Sequence, residues 1–119
     1  MANQVVWVDI PVKDLDRAIK FYSAVIGGTV HKEEIPGAPI GVLSHGEGDV
    51  GGCLVPHPGG ESTGGPLLYL NANGRLDQAV AAAAANGGKV VEPKHQIGPH
   101  GYRAIVLDSE GNRIALHSE

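Results

Sequence analysis

The spacing of apolar residues changes several times along the chain, and each change marks an element. Residues 5–10 are, apart from Asp9, β-branched or aromatic and alternate. Val6, Val8 and Ile10 fall on one face and Val5, Trp7 and Asp9 on the other, which predicts a strand. The period then lengthens. Leu15, Ala18, Ile19, Tyr22, Val25 and Ile26 make one helical stripe. Asp14 is placed to cap that helix, Asp16 suits its first turn, and Gly27 can take the left-handed conformation that ends it. Strands are predicted over 29–35, 40–45 and 50–55, with a turn at Gly46-Glu47-Gly48-Asp49 between the last two.

Residues 56–65 read Pro-His-Pro-Gly-Gly-Glu-Ser-Thr-Gly-Gly and cannot form a core element. Beyond them the pattern restarts. A strand is predicted over 67–72, with Leu68, Leu70 and Ala72 alternating against Leu67, Tyr69 and Asn71. Asn73 is the expected cap of a helix over 75–86, with the stripe Leu76, Ala79, Val80 and Ala83 and a stop at Gly87. Strands follow over 89–92, 102–107 and 113–117, the last two joined by the turn Asp108-Ser109-Glu110-Gly111. The halves superpose in sequence. Leu15-Asp16-Arg17-Ala18-Ile19 matches Leu76-Asp77-Gln78-Ala79-Val80, and Gly27-Gly28-Thr29-Val30 matches Gly87-Gly88-Lys89-Val90. The expected organisation is one α+β domain over 1–119: a first module at about 4–56, a linker at about 57–65 and a second module at about 66–118.

Composition narrows the function classes. With 42% hydrophobic and 18% charged residues the chain is globular rather than disordered. A net charge of −4 without a basic cluster argues against nucleic-acid and anionic-membrane partners. No apolar stretch approaches the roughly 20 residues of a membrane helix. The N-terminus lacks the basic start and apolar run of a signal peptide, and the single cysteine, Cys53, fits a reducing compartment, so a cytoplasmic location is expected.

Val12-Lys13-Asp14-Leu15-Asp16-Arg17-Ala18, with Phe21-Tyr22 and Gly27-Gly28, resembles the opening motif of the vicinal oxygen chelate superfamily. That group includes glyoxalase I, bleomycin-resistance proteins and extradiol dioxygenases. Asn86-Gly87-Gly88 and Asp108-Ser109-Glu110-Gly111-Asn112-Arg113-Ile114 resemble its second-half signature. The resemblance covers essentially the whole chain. It implies two tandem β-α-β-β-β modules whose mixed sheets curl around a cavity, with the helices outside. It also implies a small-molecule ligand and a homodimer. The strand faces bearing Trp7, Asp9, Tyr69 and Asn71 carry the mixed chemistry of such a cavity.

In metal-dependent members the resemblance implies four ligands, His or Glu, on the cavity side of the strands. Carried over one by one, those places fall on Trp7, Cys53, Leu67 and Ala115. Only the thiol is a metal donor, and a catalytic divalent ion needs several donors converging at about 2 Å. No metal ligand and no cofactor are therefore assigned. The alternative is a metal-dependent lyase or dioxygenase with shifted ligands such as His100 and His117. His31, His45, His57 and His95 complete the histidines, and none has the spacing of a familiar zinc motif.

His117 shares a face with Ala115 and should look toward the cavity. Asp9, Tyr69 and His117 are candidates for acid–base chemistry without metal. His100 lies in the stretch 93–101, read as a lid-like loop. Trp7 either stacks a planar ligand or fills a core gap. Cys53 is either a nucleophile or an inert buried thiol. The expected pocket is Trp7, Asp9, Cys53, Leu67, Tyr69, Asn71, His100, Ala115 and His117. The expected activity is enclosure of a small organic molecule. A further alternative is a protein that sequesters a drug or metabolite without turnover.

Overall fold

The computed structural model describes residues 5–35, 38–57, 59–60 and 63–119. Residues 1–4, read above for a targeting signal, and Pro58, Glu61 and Ser62 of the expected linker lie outside the described residues. Strands β1 (Trp7–Val12), β2 (His31–Ile35), β3 (Ala38–Val42) and β4 (Gly51–Pro56) form one sheet in the order β1-β4-β3-β2. Strands β5 (Leu68–Asn71), β6 (Lys89–Gln96), β7 (Tyr102–Leu107) and β8 (Arg113–Ser118) form a second in the order β5-β8-β7-β6. In each sheet the first strand runs parallel to the last and the other pairings are antiparallel. A helix follows each first strand: α1 (Leu15–Ile26) and α2 (Leu76–Ala85). The architecture is thus two tandem β-α-β-β-β modules, an α+β fold as the duplicated pattern predicts. Among the described residues no helix is long and apolar enough to cross a membrane.

The helix ends follow local chemistry. The Asp14 carboxylate accepts from Arg17 N–H at 3.1 Å, and Gly27 closes α1 in the left-handed region at φ 78°. The buried face of α1 is Leu15, Ala18, Phe21, Tyr22 and Val25. The buried face of α2 is Leu76, Ala79 and Ala83. Both helices join one core with Ile10, Val12, Leu54, Ala104, Val106, Ile114 and Leu116. This core covers one face of each sheet and leaves the other face free of helices.

Three expectations are corrected. The first strand starts at Trp7, because its partner β4 begins at Gly51, which pairs with Trp7. Val5 and Val6 are left unpaired and exposed, at 59% and 72%. Asn73 does not cap α2: its side chain accepts from Ser118 Oγ at 3.3 Å and Glu119 N–H at 3.0 Å instead, and Arg75 occupies the cap position. Nor is the stretch 93–101 a loop throughout. Pairing with β7 carries β6 to Gln96, with irregular register between Val90 and His95 that absorbs Pro93. Only a 3-10 turn, Gly98–His100, breaks away.

The second module holds the first through the β7–β8 turn. Glu110, 2% exposed, accepts from the Lys13 and Asp14 backbone N–H groups at 2.8 Å each. It also receives Arg17 Nε at 2.7 Å and Arg17 Nη2 at 3.0 Å. Asp108 in the same turn accepts the Tyr22 hydroxyl at 2.5 Å, and Asn112 Nδ2 donates to the Pro11 carbonyl at 2.8 Å. At the far end, Arg75 Nη1 donates to the Val25 carbonyl at 2.6 Å, placing a cation at the C-terminus of α1.

Candidate functional site

The helix-free faces of the two sheets carry the polar residues. On the first sheet, period two puts Trp7 and Asp9 on one side of β1, and the parallel register sets Asp9 opposite Cys53. Trp7 Nε1–H donates to Asp9 Oδ1 at 3.1 Å, and the Cys53 thiol reaches the same oxygen at 3.2 Å. The Trp7 ring remains 44% exposed and meets His45 edge-on at 5.6 Å. Burial pushes the Cys53 thiol pKa up, and the hydrogen bond to Asp9 adds to this. The thiol is held protonated, which disfavours nucleophilic attack.

On the second sheet the same alternation aligns Tyr69 and Asn71 of β5 with Ala115 and His117 of β8, and Arg103 of β7 pairs with His117. Arg103 Nη1 donates to the Tyr69 hydroxyl at 2.5 Å, and Arg103 Nε donates to His95 Nε2 at 3.1 Å. Because His95 Nε2 is the acceptor, the ring proton is on Nδ1, which faces the Pro93 carbonyl at 2.9 Å. His117 shows the opposite tautomer. Its Nε2 lies 2.7 Å from the His100 carbonyl, an oxygen that can only accept, so Nε2 carries the proton and Nδ1 keeps its lone pair. No described residue occupies that lone pair.

The 3-10 turn makes this contact. Gly101 has φ 89°, and a Cβ there would lie 2.4 Å from the Ser118 carbonyl. Only glycine lets the turn close against β8 and bring the His100 carbonyl to His117. Beside the turn is a shallow hollow, open to solvent, of about 500 Å³ lined by Tyr69, Ile97, His100, Arg103 and His117.

The nine expected pocket residues therefore separate. Tyr69, His100 and His117 converge. Asp9 belongs with Trp7 and Cys53 on the other sheet, hydrogen-bonded to both, and no contact joins it to Tyr69 or His117. Asn71 Oδ1 accepts from the Asn73 N–H at 2.8 Å and lines a smaller hollow of about 270 Å³ between the sheets, which Tyr69 shares. Leu67 and Asp9 both line an apolar groove of about 350 Å³ between β1 and β5, and Ala115 is fully buried. Arg103, Ile97 and His95 were not among the expected residues. The signal for Arg103 was available: a regular strand over 102–107 places it two residues from Ile105 on the side opposite Ala104 and Val106.

The places where the resemblance implies metal ligands offer an indole, a thiol, an isobutyl group and a methyl group. The thiol is engaged with Asp9. Among the described residues no three His, Cys, Asp or Glu side chains converge. These residues do not fit a divalent ion.

A sequence profile of the Glyoxalase/Bleomycin resistance protein/Dioxygenase superfamily matches residues 4–116. A mycobacterial protein provisionally named glyoxylase CFP32, from Mycobacterium bovis and Mycobacterium tuberculosis, is 33% identical over 107 residues. The match covers 89% of this chain and 40% of that protein, so the chain spans less than half the length of these relatives. Among solved structures, a glyoxalase/bleomycin resistance protein from Albidiferax ferrireducens superposes with a TM-score of 0.80 at 24% identity, covering 98% of this chain and 99% of that one. Glyoxalase I from Zea mays superposes with a TM-score of 0.70 at 22% identity, over 92% of this chain and 44% of that one. At these identities the likeness is one of fold.

Proposed function

Since the chain belongs to the Glyoxalase/Bleomycin resistance protein/Dioxygenase superfamily, we propose that it encloses a small organic molecule against its sheet faces without a divalent metal. The observation that supports this most is the hollow formed by Tyr69, Arg103 and His117. Tyr69 pairs in register with Ala115, a place where the resemblance implies a metal ligand. A cation, a phenol and an imidazole lone pair supply charge, hydrogen bonding and proton acceptance from the protein alone. Metal analysis of the purified protein tests the proposal, with no stoichiometric ion expected. Stoichiometric nickel, zinc, iron or manganese would overturn it. Loss of such metal in His100→Ala and His117→Ala variants would favour a lyase or dioxygenase with shifted ligands.

The open Nδ1 of His117 favours turnover over simple sequestration. A bound molecule recovered unchanged after long incubation would instead support sequestration. The same proposal includes a second copy of the chain covering the sheet faces, where Trp7 and Tyr69 stand 44% and 45% exposed. Sedimentation should then give a mass of two chains rather than 12.3 kDa. A cytoplasmic location completes the proposal, to be checked by cell fractionation.

A further inference from the structure

Arg103 is a cation with neutral partners. Its guanidinium donates to Tyr69 and to His95, and among the described residues no carboxylate pairs with it. The Glu92 carboxylate stands 4.0 Å from His95 Nε2, beyond hydrogen-bonding distance. A guanidinium partnered only by a phenol oxygen and an imidazole nitrogen retains N–H donors for an anion. With its oxygen accepting from Arg103, the Tyr69 hydroxyl keeps its own proton to donate. Beside them, His117 pairs with Arg103 across the strands, meets the Tyr69 ring edge-on at 6.3 Å, and offers a lone pair at Nδ1 on a ring held by the Nε2–H bond to the His100 carbonyl. Ile97 adds the apolar wall.

Resting on the enclosure proposed above, we infer that this hollow takes a small hydroxy-carboxylate. Its carboxylate sits on Arg103 and Tyr69, its hydroxyl donates to His117 Nδ1, and its apolar part lies toward Ile97. The guanidinium sets the preference for a planar, charged, bidentate acceptor over a neutral amide. The histidine lone pair sets the preference for a donor group on the same molecule, since a ligand lacking it leaves a polar atom unpaired. No metal is needed for either selection.

Mandelate, phenylacetate and mandelamide separate the two preferences, because the second lacks the hydroxyl and the third lacks the charge. Calorimetric titration, with NMR of Arg103 Nε and the His117 ring, should show mandelate binding about tenfold or more tighter than mandelamide. Its advantage over phenylacetate should be severalfold. Arg103→Gln should weaken mandelate far more than mandelamide and so erase the preference for charge. Arg103→Lys should restore part of it. Tyr69→Phe, at an exposed position, should weaken mandelate binding without affecting folding, which guards against loss of Arg103 disturbing the site. Equal affinity for mandelate and mandelamide would overturn the carboxylate inference and leave the enclosure of a neutral molecule standing. Mandelate binding that survives Arg103→Gln would do the same. If none of the three shifts the Arg103 or His117 resonances, the hydroxy-carboxylate inference falls, while the enclosure proposal is decided by the metal analysis.

Discussion

Replacing Glu110 by glutamine probes the bond between the two modules. Burial alone would raise this carboxyl's pKa. The Arg17 guanidinium, the Asp14 N–H, the Ser109 hydroxyl and the Lys13 N–H outweigh that cost and hold it at about 2, against an ordinary 4.5. Each tenfold change in proton affinity is worth about 1.4 kcal/mol, so the charge contributes about 3 kcal/mol at neutral pH. Arg17 is half exposed and solvent screens its share, so the expected loss is about 2–3 kcal/mol. Glutamine keeps the shape and one acceptor oxygen but loses the ion pair and places an amide donor among donors. Because the folded pKa lies below the unfolded one, the stabilisation is complete above about pH 5 and is lost as pH falls from 4.5 toward 2. Urea unfolding of both proteins at pH 7 and pH 3 should show the gap shrinking by roughly half or more at the lower pH. A loss below about 1 kcal/mol at pH 7, or a gap unchanged by pH, would refute this account of Glu110.

Other perturbations follow from the same contacts. Tyr22→Phe removes the buried hydroxyl bonded to Asp108 and should cost about 1–3 kcal/mol in denaturant unfolding. Burial, then the charge of Asp108, raises the Tyr22 pKa well above 10, so its stabilisation is intact below pH 10 and is lost in stronger alkali. Absorbance titration should show Tyr22 ionising only together with unfolding. Cys53 should react with a disulfide reagent at pH 8 far more slowly than a free thiol does, and an Asp9→Asn variant should react faster if the Asp9 bond contributes. Gly101→Ala forces a positive φ and a 2.4 Å approach on a side chain. It should lower thermal stability and displace the His100 carbonyl from His117, visible as a changed His117 Nε2–H resonance.

Much of the fold was legible because it depends on local rules. The α1 stripe, the Asp14 cap and the Gly27 stop are readable within a dozen residues. Repetition in the second half then identified the module. Where partners lie far away in sequence, local reading failed. Asn73 has the chemistry of a helix cap, yet β8 competes for its side chain through Ser118 and Glu119. Residues 93–96 have a loop-like composition, yet β7 extends them into a strand. Asp9 and His117 share a cavity-facing alternation, yet the alternation does not state which sheet faces meet.

By itself, the sequence determined the element order, the duplication and the faces of β1, β5 and β8. Periodicity and residue type are sufficient for these. The tertiary structure alone decided that Arg103 finds Tyr69 and His95, that Gly101 brings the His100 carbonyl to His117, and that Glu110 holds the start of α1. Each of those contacts joins residues by strand register or close backbone approach, and neither is set until the sheets have formed.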